Sequence, residues 1–431
     1  MKLSRTCAEL SVALFLRTTR AKEPETTKMQ IKSSKTKTLL PLYLSTFFAM
    51  LSNSMMALAL PWMVLQATDS VLTTGTVGSI ALSAVFVGSA FSRILIARIG
   101  ANALIILAFM LNLTGISGVV YCFAQEVLLL PLLVVFVIAY CLPDAAANTA
   151  MESRFPEIAR YNKVSLSGIN AVKEGLFNGS FILGAASAGL LLATINPLFV
   201  FGIAGGMAIV ALVFFLPLTR LYKSGLARQD ALSVLASTRW LWSQPHLRSF
   251  LILLMVFMAS VSSLDDVLMP AFIHQTTGNP ADIGFILASY GITGIVSSLL
   301  YAKYHKNLPE IWTVRAGIVG IAIFFLGLVL FAEPSFVIIN TCITGLLSGP
   351  LWPVISARFM EDTPKAMRLG MLTAISMLSI GIAPVIVIIH AWVIKVYSVE
   401  VLCLGTATVI MMMLFLKTEK TTTANKMKKP E

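Results

Sequence analysis

Apolar blocks of about 20 residues alternate with short polar segments along most of the chain. A helix of that length, free of charged side chains, spans the hydrocarbon core of a bilayer. The pattern therefore predicts an all-α membrane protein with twelve transmembrane helices in two six-helix bundles. We place these helices at residues 38–66, 74–97, 101–123, 127–150, 166–194, 197–219, 249–273, 280–302, 311–332, 335–358, 368–394 and 399–416.

The longest polar segment within this pattern, residues 220–248, separates the first six predicted helices from the last six. Its leucine, valine and tryptophan residues at positions 232, 234, 235, 240 and 242 predict a short helix that lies at the membrane surface. The chain thus divides into a basic tail at 1–37, a bundle at 38–219, a cytoplasmic loop at 220–248, a second bundle at 249–416 and a basic tail at 417–431.

Composition agrees with a membrane protein, because 57% of the residues are hydrophobic and only 12% are charged. A soluble protein with this balance would lack the polar groups to cover its surface. In the predicted topology, 30 of the 32 lysines and arginines fall on one side, and the two others are Lys173 and Lys395. Basic loops stay in the cytoplasm, so both termini are predicted to be cytoplasmic. Topology thus accounts for the net charge of +12, and no nucleic-acid partner is expected.

The first residues allow two interpretations. MKLSR followed by SVALFL resembles a signal peptide, but Glu9 interrupts the stretch and no small-residue cleavage site follows. We therefore expect residues 1–37 to form a basic cytoplasmic tail, with Met29 as an alternative start.

The two halves of the chain repeat each other. ALPWMVLQATDSVLTTG and LMPAFIHQTTGNPADIG align at an offset of 209 residues, which pairs Pro61 with Pro270. Further along, an offset of 208 pairs Pro156 with Pro364, which follow the triplets SRF and ARF. Two related bundles, with the substrate site near the midplane between them, are typical of transporters.

Signatures of metal sites and nucleotide-dependent enzymes are not found in the sequence. The five cysteines and four histidines are scattered without metal-ligand or disulfide spacing, and neither HExxH nor GxxxxGK[ST] occurs. We therefore expect no metal, no other cofactor and no enzymatic activity.

Several stretches resemble the major facilitator superfamily. They are the ALP and TDS segments near residues 60–70, Gly78, and ARIG at 97–100. WSQPHLRS at 242–249 and TPKAMRLG at 363–370 are similar to the enterobactin-exporter and macrolide-efflux branch of that superfamily. The resemblance covers residues 38–416 and implies a twelve-helix transporter that works by alternating access.

Two positions depart from the motifs of that superfamily. In the loop after the second helix, members carry an acid before Arg-x-Gly-Arg-Arg for gating; here Ala97 replaces the acid, and Arg98 and Gly100 remain as gating-loop candidates. In the fifth helix, Gly-Ala at 184–185 stands where antiporters carry Gly-Pro. If this chain uses protons, acids elsewhere in the helices must bind them.

Ionisable residues inside a membrane span are costly and mark candidate functional sites. Asp144 in the fourth helix lies about 25 Å from the outer surface at 1.5 Å per residue, and Lys173 and Glu174 in the fifth lie at a similar depth. All three are coupling candidates, and the common depth predicts that Asp144 pairs with Lys173. The alternative is that they are separate charges at the cytoplasmic interface.

Asp265 and Asp266 in the seventh helix complete the set of coupling candidates. Counting residues places them roughly 6 Å below the outer surface. Neighbouring residues on a helix point about 100° apart, so only one of the two is expected to face the cavity and bind the coupling proton. The alternative is a solvated helix end with no role in transport.

Asn53, Tyr140 and Trp352 are the substrate-cavity candidates, since the superfamily places their helices around the cavity. In the tenth helix, Pro350 and Pro353 are expected to bend the backbone, because each proline removes a hydrogen bond. Such breaks are tolerated where protein or a water-filled cavity satisfies the backbone.

These features predict a secondary active transporter that exports an amphipathic organic compound. The alternatives are export of a siderophore, which the branch resemblance favours, and a non-transporting membrane receptor or scaffold. A polar cavity between the halves would favour a transporter over a scaffold. We expect a monomer in the cytoplasmic (inner) membrane whose partners are the lipid bilayer, a small organic substrate and the proton.

Overall fold

The computed structural model describes residues 39–125, 128–221, 231–304, 308–331, 333–363 and 368–415. Within these ranges the secondary structure is helical and no strand occurs. Both predicted tails lie outside the described residues, as does the basic part of the central segment at 222–230.

The helices follow the predicted apolar blocks. Those of the first half are α1 (Leu39–Thr68), α2 (Val71–Ile99), α3 (Ala101–Ala124), α4 (Leu130–Glu152), α5 (Phe155–Asn162), α6 (Leu166–Thr194) and α7 (Pro197–Leu221). After α8 (Ala231–Ser243), the second half contains α9 (Pro245–Ser263), a π-helical turn (Leu264–Leu268), α10 (Met269–Thr276), α11 (Pro280–Tyr304), α12 (Glu310–Leu330), α13 (Pro334–Ser348), α14 (Leu351–Asp362), α15 (Arg368–Gly381), α16 (Ala383–Val396) and α17 (Val399–Met412).

The described residues contain eleven helical segments that are long and apolar enough to cross a membrane, and a shorter apolar helix at Val399–Phe415. Four spans consist of more than one helical element: α4 and α5 form the fourth, α9, the π-helical turn and α10 the seventh, α13 and α14 the tenth, and α15 and α16 the eleventh. The predicted all-α membrane fold is confirmed, with six spans before α8 and six after it.

The helix predicted within the central segment is confirmed as α8. Leu241 is fully buried, whereas its neighbour Trp242 is half exposed. The helix packs against α15 and α9, so this part of the central segment is attached to the second bundle.

The two halves use the same helix neighbours. In the first half, α4 packs against α2 and α3, α3 against α7, and α1 against α6. In the second half, α13 packs against α11 and α12, α12 against α17, and α9 against α15 and α16. The contacts between the halves correspond as well, since α2 meets α16 and α6 meets α11. The predicted pair of related bundles is therefore confirmed.

Small residues bring the halves together at the ends of the spans that lie away from the chain termini, which we call the distal side. Gly189 on α6 faces Gly284 on α11, and a Cβ on Gly284 would lie 2.6 Å from the carbonyl oxygen of Ala185. On the other flank, a Cβ on Gly75 of α2 would collide with Ala391 on α16. Such close backbone approach holds helices together in lipid, where the hydrophobic effect does not.

The terminal side of the spans is more open. On α6, no side chain described between positions 170 and 179 is buried, and a Cβ on Gly175 or Gly179 would meet no atom within 4 Å. Every side chain described in this stretch is thus at least partly exposed. The structure is thus closed on the distal side and separated on the terminal side.

Prolines interrupt several spans at mid-membrane depth. The tenth span breaks at Gly349-Pro350 between α13 and α14, so the bend predicted there is confirmed. In the seventh span, the π-helical turn precedes Pro270, whose missing N–H disturbs the helical hydrogen-bond pattern. These irregular segments lie within the bundle, where neighbouring helices satisfy the freed backbone groups.

The packing of α2 on α4 can be tested at Gly88. A Cβ there would collide with the backbone carbonyl of Leu142 on α4. We expect Gly88→Ala to lower the free energy of unfolding by about 1–3 kcal/mol through overpacking. Gly206→Ala is the matched control, because nothing lies within 4 Å of its Cβ position. Equal thermal stability of the two purified variants would contradict the described packing.

Candidate transport site

A cavity lies within the second half, between the seventh to tenth spans. Five of its lining residues are aromatic: Phe181, Phe257, Tyr290, Phe324 and Phe325. Asp265 is the one charged residue in this lining. An apolar, aromatic cavity with few polar groups is suited to a small organic compound.

The position of this cavity differs from the prediction. A polar cavity between the halves was expected, but only Phe181 on α6 comes from the first half, and most of the lining is apolar. The hydroxyl groups in the lining are largely occupied by helix carbonyls: Thr341 donates to Val337 at 2.6 Å and Ser260 donates to Val256 at 2.8 Å. This internal bonding leaves an apolar wall.

The two neighbouring acids of the seventh span lie in its π-helical turn. They lie deeper than predicted, because the helix continues for eleven residues beyond Asp265, to Thr276, or about 16 Å at 1.5 Å per residue. A π-helical turn inside an α-helix is rare and is frequent at functional sites.

Asp265 and Asp266 point to different surroundings. Asp265 lines the cavity, whereas Asp266 packs against α2 of the other half, where a Cβ on Gly78 would lie 3.1 Å from the Asp266 Cβ and 3.4 Å from its Oδ2. Only Asp265 thus faces this cavity, and the coupling role of either acid stays a prediction. Among the described residues, neither carboxylate accepts a hydrogen bond.

Polar groups from both halves surround the contact of Asp266 with α2. Ser79, next to Gly78, donates to the carbonyl of Pro384 on α16 at 2.8 Å. On the seventh span, the Ser263 hydroxyl bonds to Nδ1 of His390 at 2.6 Å. Asp266 therefore lies where α2, the seventh span and α16 meet.

A second polar group of side chains lies in the first half, and we call it the Asp144 chain. The Tyr140 hydroxyl donates to Oδ1 of Asn53 at 2.8 Å, and Nδ2 of Asn53 donates to Oδ2 of Asp144 at 2.9 Å. Nδ2 of Asn148 also donates to Oδ2 of Asp144, at 3.2 Å. The structure thus joins two predicted cavity residues and one predicted coupling residue into one site; Asn148 was not predicted.

The predicted ion pair between Asp144 and Lys173 is wrong. Lys173 instead binds Glu152, and its Nζ lies 3.8 Å from Glu174. The prediction failed because it placed the two residues at the same depth in the membrane. Ser54, next to Asn53, donates to the carbonyl of Phe181, so Asp144 is level with Phe181, eight residues or about 12 Å from Lys173.

Comparison with known proteins identifies the family of this chain. The sequence profile of the Major Facilitator Superfamily matches residues 42–278 and 266–431. The chain belongs to the Major Facilitator Superfamily. The relatives of this facilitator include the multidrug efflux pump Tap of Mycolicibacterium fortuitum, 23% identical over 341 residues, which cover 76% of this chain and 83% of Tap. Tap of Mycobacterium tuberculosis (strain ATCC 25618 / H37Rv) is 24% identical over 353 residues, 77% of this chain and 82% of the relative.

Solved structures show the same fold at low sequence identity. The nucleoside transporter NupG superposes with a TM-score of 0.73 and 11% identity, covering 88% of this chain and 98% of NupG. A POT family transporter in complex with a thioalcohol-conjugated peptide gives a TM-score of 0.70 and 16% identity, covering 87% and 94%. At these identities the likeness establishes the fold alone.

The gating-loop candidates of this superfamily member lie between α2 and α3. Arg98 is exposed in the last turn of α2, and Gly100 has φ 82°, a backbone conformation that favours glycine. Behind the loop, the buried Arg154 donates to Asn102, and Asn102 donates to the carbonyl of Thr219 at 3.2 Å. The loop is therefore tied to the fourth and sixth spans, and its gating role stays a prediction.

Sequence reasoning missed the role of Arg154, although the repeated Arg-Phe pair contained a signal. In the second half, Arg358 of the equivalent pair lies 3.7 Å from Glu310 at the start of α12 and 3.1 Å from Asp362. In both halves, an arginine at the end of a span thus contacts the start of the preceding one. Trp352, the remaining cavity candidate, lies in α14 and is 40% exposed, and its role stays a prediction.

Double-mutant cycles can test which partner Asp144 has. We expect alanine substitutions at Asn53 and Asp144 to show a coupling energy of about 0.6–1.7 kcal/mol, the range for hydrogen bonds inside membrane proteins. The same cycle with Asp144 and Lys173 serves as the control and should be additive, since they are not in contact. The measurement is the free energy of unfolding in detergent. Coupling between Asp144 and Lys173 together with additivity between Asn53 and Asp144 would support the ion pair instead.

Proposed function

We propose that this facilitator is a secondary active exporter of amphipathic organic compounds, driven by protons through alternating access. The observation that carries the proposal is the aromatic cavity with a single carboxylate next to the contact between the halves. Such a cavity accepts compounds with an apolar body and a polar group. The two relatives described above are both multidrug efflux pumps, which supports export.

We assign the structure to the inward-facing state of this cycle. The halves meet at Gly189 and Gly284 on the distal side and are separated along the first half of α6. The basic residues of the loops favour a cytoplasmic location for the terminal side, and hence for both termini. The protein then lies in the cytoplasmic membrane with its opening toward the cytoplasm.

We assign proton coupling to Asp266. Its carboxylate packs against Gly78 of the other half and accepts no hydrogen bond among the described residues. An ionised carboxylate is costly to bury in this setting, so closure of the distal side requires a bound proton. Separation of the halves there would admit water and allow the proton to exchange. Lys173 lies at the terminal side in contact with both Glu152 and Glu174, which favours a structural role for Lys173 and Glu174.

The alternatives from the sequence fit the site less well. An anionic siderophore would need several basic groups, but the cavity lining contains none and Lys173 is bound to Glu152. A receptor or scaffold needs no cavity, whereas this chain has one at the depth where transporters bind their substrates.

Transport driven by a pH gradient tests the proposal. Everted vesicles that are acidified inside should accumulate the amphipathic dye ethidium when they contain the wild-type protein. We expect Asp266→Asn to abolish this accumulation, because the amide binds no proton, while equilibrium binding of the dye is retained. Asp265→Asn should weaken dye binding but keep the response to the gradient.

The control for this experiment is Asp282→Asn, which changes a partly exposed acid that accepts a hydrogen bond from Thr277 on the distal side. It should transport like the wild type. Undiminished gradient-driven transport by Asp266→Asn would remove the coupling role, and wild-type vesicles that fail to accumulate any of a panel of amphipathic dyes would remove the proposed function.

Membrane topology can be tested with reporter fusions. A reporter that is active only outside the cytoplasm should be active after Glu333 or Val396 and silent after Gly225, because basic loops are retained in the cytoplasm. Alkaline phosphatase activity in whole cells is the readout. The reverse pattern would invert the orientation and make the described opening face outward.

A further inference from the structure

We propose that the Asp144 chain is a binding site for the protonated amine of the transported compound, separate from Asp265 and Asp266. The proposal rests on the proposed function and names the substrate class as amphipathic organic amines. The site consists of Asp144, Asn53, Asn148 and Tyr140, which lie on α1 and α4. Its position at the level of Phe181 puts it beside the aromatic cavity.

The orientation of the side chains leaves acceptors free for a ligand. A carboxylate only accepts hydrogen bonds, so the NH₂ groups of Asn53 and Asn148 must face Asp144 and their oxygens must face away. The described bonds both end on Oδ2, while Oδ1 accepts none and is not closed off from solvent. Oδ1 of Asp144 and the exposed amide oxygen of Asn148 can therefore accept from the N–H groups of an ammonium ion.

Among the described residues, no basic side chain forms an ion pair with Asp144. Lys173, the basic residue on the neighbouring span, is bound to Glu152, about 12 Å toward the terminal side. The described hydrogen bonds of Asp144 come from neutral amides, which stabilise the anion but leave its charge. A lone anion at this depth in a membrane protein requires a cation, and an arriving ammonium would supply it.

Access to the site is open from the terminal side. Asp144 is partly exposed, and Asn148, one turn of α4 closer to that side, is exposed. By contrast, Tyr140, one turn closer to the distal side, is only 8% exposed. A compound that enters through the opening thus meets Asn148 and Asp144 first, and its apolar part can lie against the aromatic residues beyond them.

Asp144 differs from the acids of the seventh span in the hydrogen bonds that it accepts. Asp144 accepts from two amides and keeps an open oxygen, as an anion that binds cations requires. Asp265 and Asp266 have no described donors, and Asp266 is pressed against Gly78. The geometry thus favours amine binding at Asp144 and proton coupling at Asp266, although the sequence alone does not distinguish these acids.

Equilibrium binding of two fluorescent probes tests the proposal without a gradient. Monodansylcadaverine carries a primary amine that is protonated at neutral pH, and its N-acetyl derivative is neutral and otherwise similar. In lipid nanodiscs, the wild-type protein should bind the amine at least about tenfold more tightly than the acetyl compound, as one charge-assisted hydrogen bond permits. Asp144→Asn should reduce amine affinity to that of the acetyl compound and leave the latter unchanged.

Two further variants keep the test decisive. Tyr140→Phe removes only the donor that orients Asn53 and should lower amine affinity a few-fold without affecting the acetyl probe. If thermal denaturation shows that Asp144→Asn does not fold, the Tyr140→Phe variant still tests whether this site binds the amine. Asp282→Asn, away from both acid sites, is the matched control and should retain the full preference for the amine.

Three results would overturn the assignment. They are equal wild-type affinity for both probes, equal loss of both in Asp144→Asn, and loss of amine preference in Asp265→Asn but not in Asp144→Asn. Because the assay measures binding alone, a protein that prefers the amine but does not transport it would refute the proposed function and keep this site. A protein that transports both probes equally would keep the function and refute the site.

Discussion

In the interior of a bilayer there is no water to satisfy polar groups, and the rest of this structure depends on that constraint. It explains why the described chain is helical, since each helix satisfies its own backbone. It also governs the side chains: hydroxyls such as those of Thr341 and Ser348 donate to carbonyls four residues earlier on the same helix. Polar groups that cannot bond in this way must bond across helices or await a ligand.

The same constraint explains why some polar side chains form hydrogen bonds between helices. Asn53 links Tyr140 to Asp144, and Ser54 links α1 to the carbonyl of Phe181 on α6. These bonds fix the register of three spans in the first half, and so fix the depth of every residue on them. Asp265 and Asp266 have no hydrogen-bond donor among the described residues, and unpaired acids at such depth are candidate functional sites.

Movement between states needs contacts that are close but not permanent. Glycines at the contacts between α6 and α11 and between α2 and α16 allow backbones to touch without interlocking side chains. Ser79 adds one hydrogen bond across that boundary, to the carbonyl of Pro384. A boundary of this kind can separate and re-form at low cost, and Asp266 lies within it, against Gly78.

The sequence by itself determined the spans, the division into two bundles, the helix α8, the break at Gly349-Pro350 and the family resemblance. These depend on local hydrophobicity, proline geometry and repeated motifs, which are readable without knowing what lies nearby. It also picked out Asp144, Asn53 and Tyr140 one by one. Only the tertiary structure decided that these three form one site, that Lys173 binds Glu152, and that Asp265 and Asp266 face different surroundings. The physical reason is register: tilt and helix length shift neighbouring spans by several residues, about 12 Å for Asp144 and Lys173, and only contacts between helices set that shift.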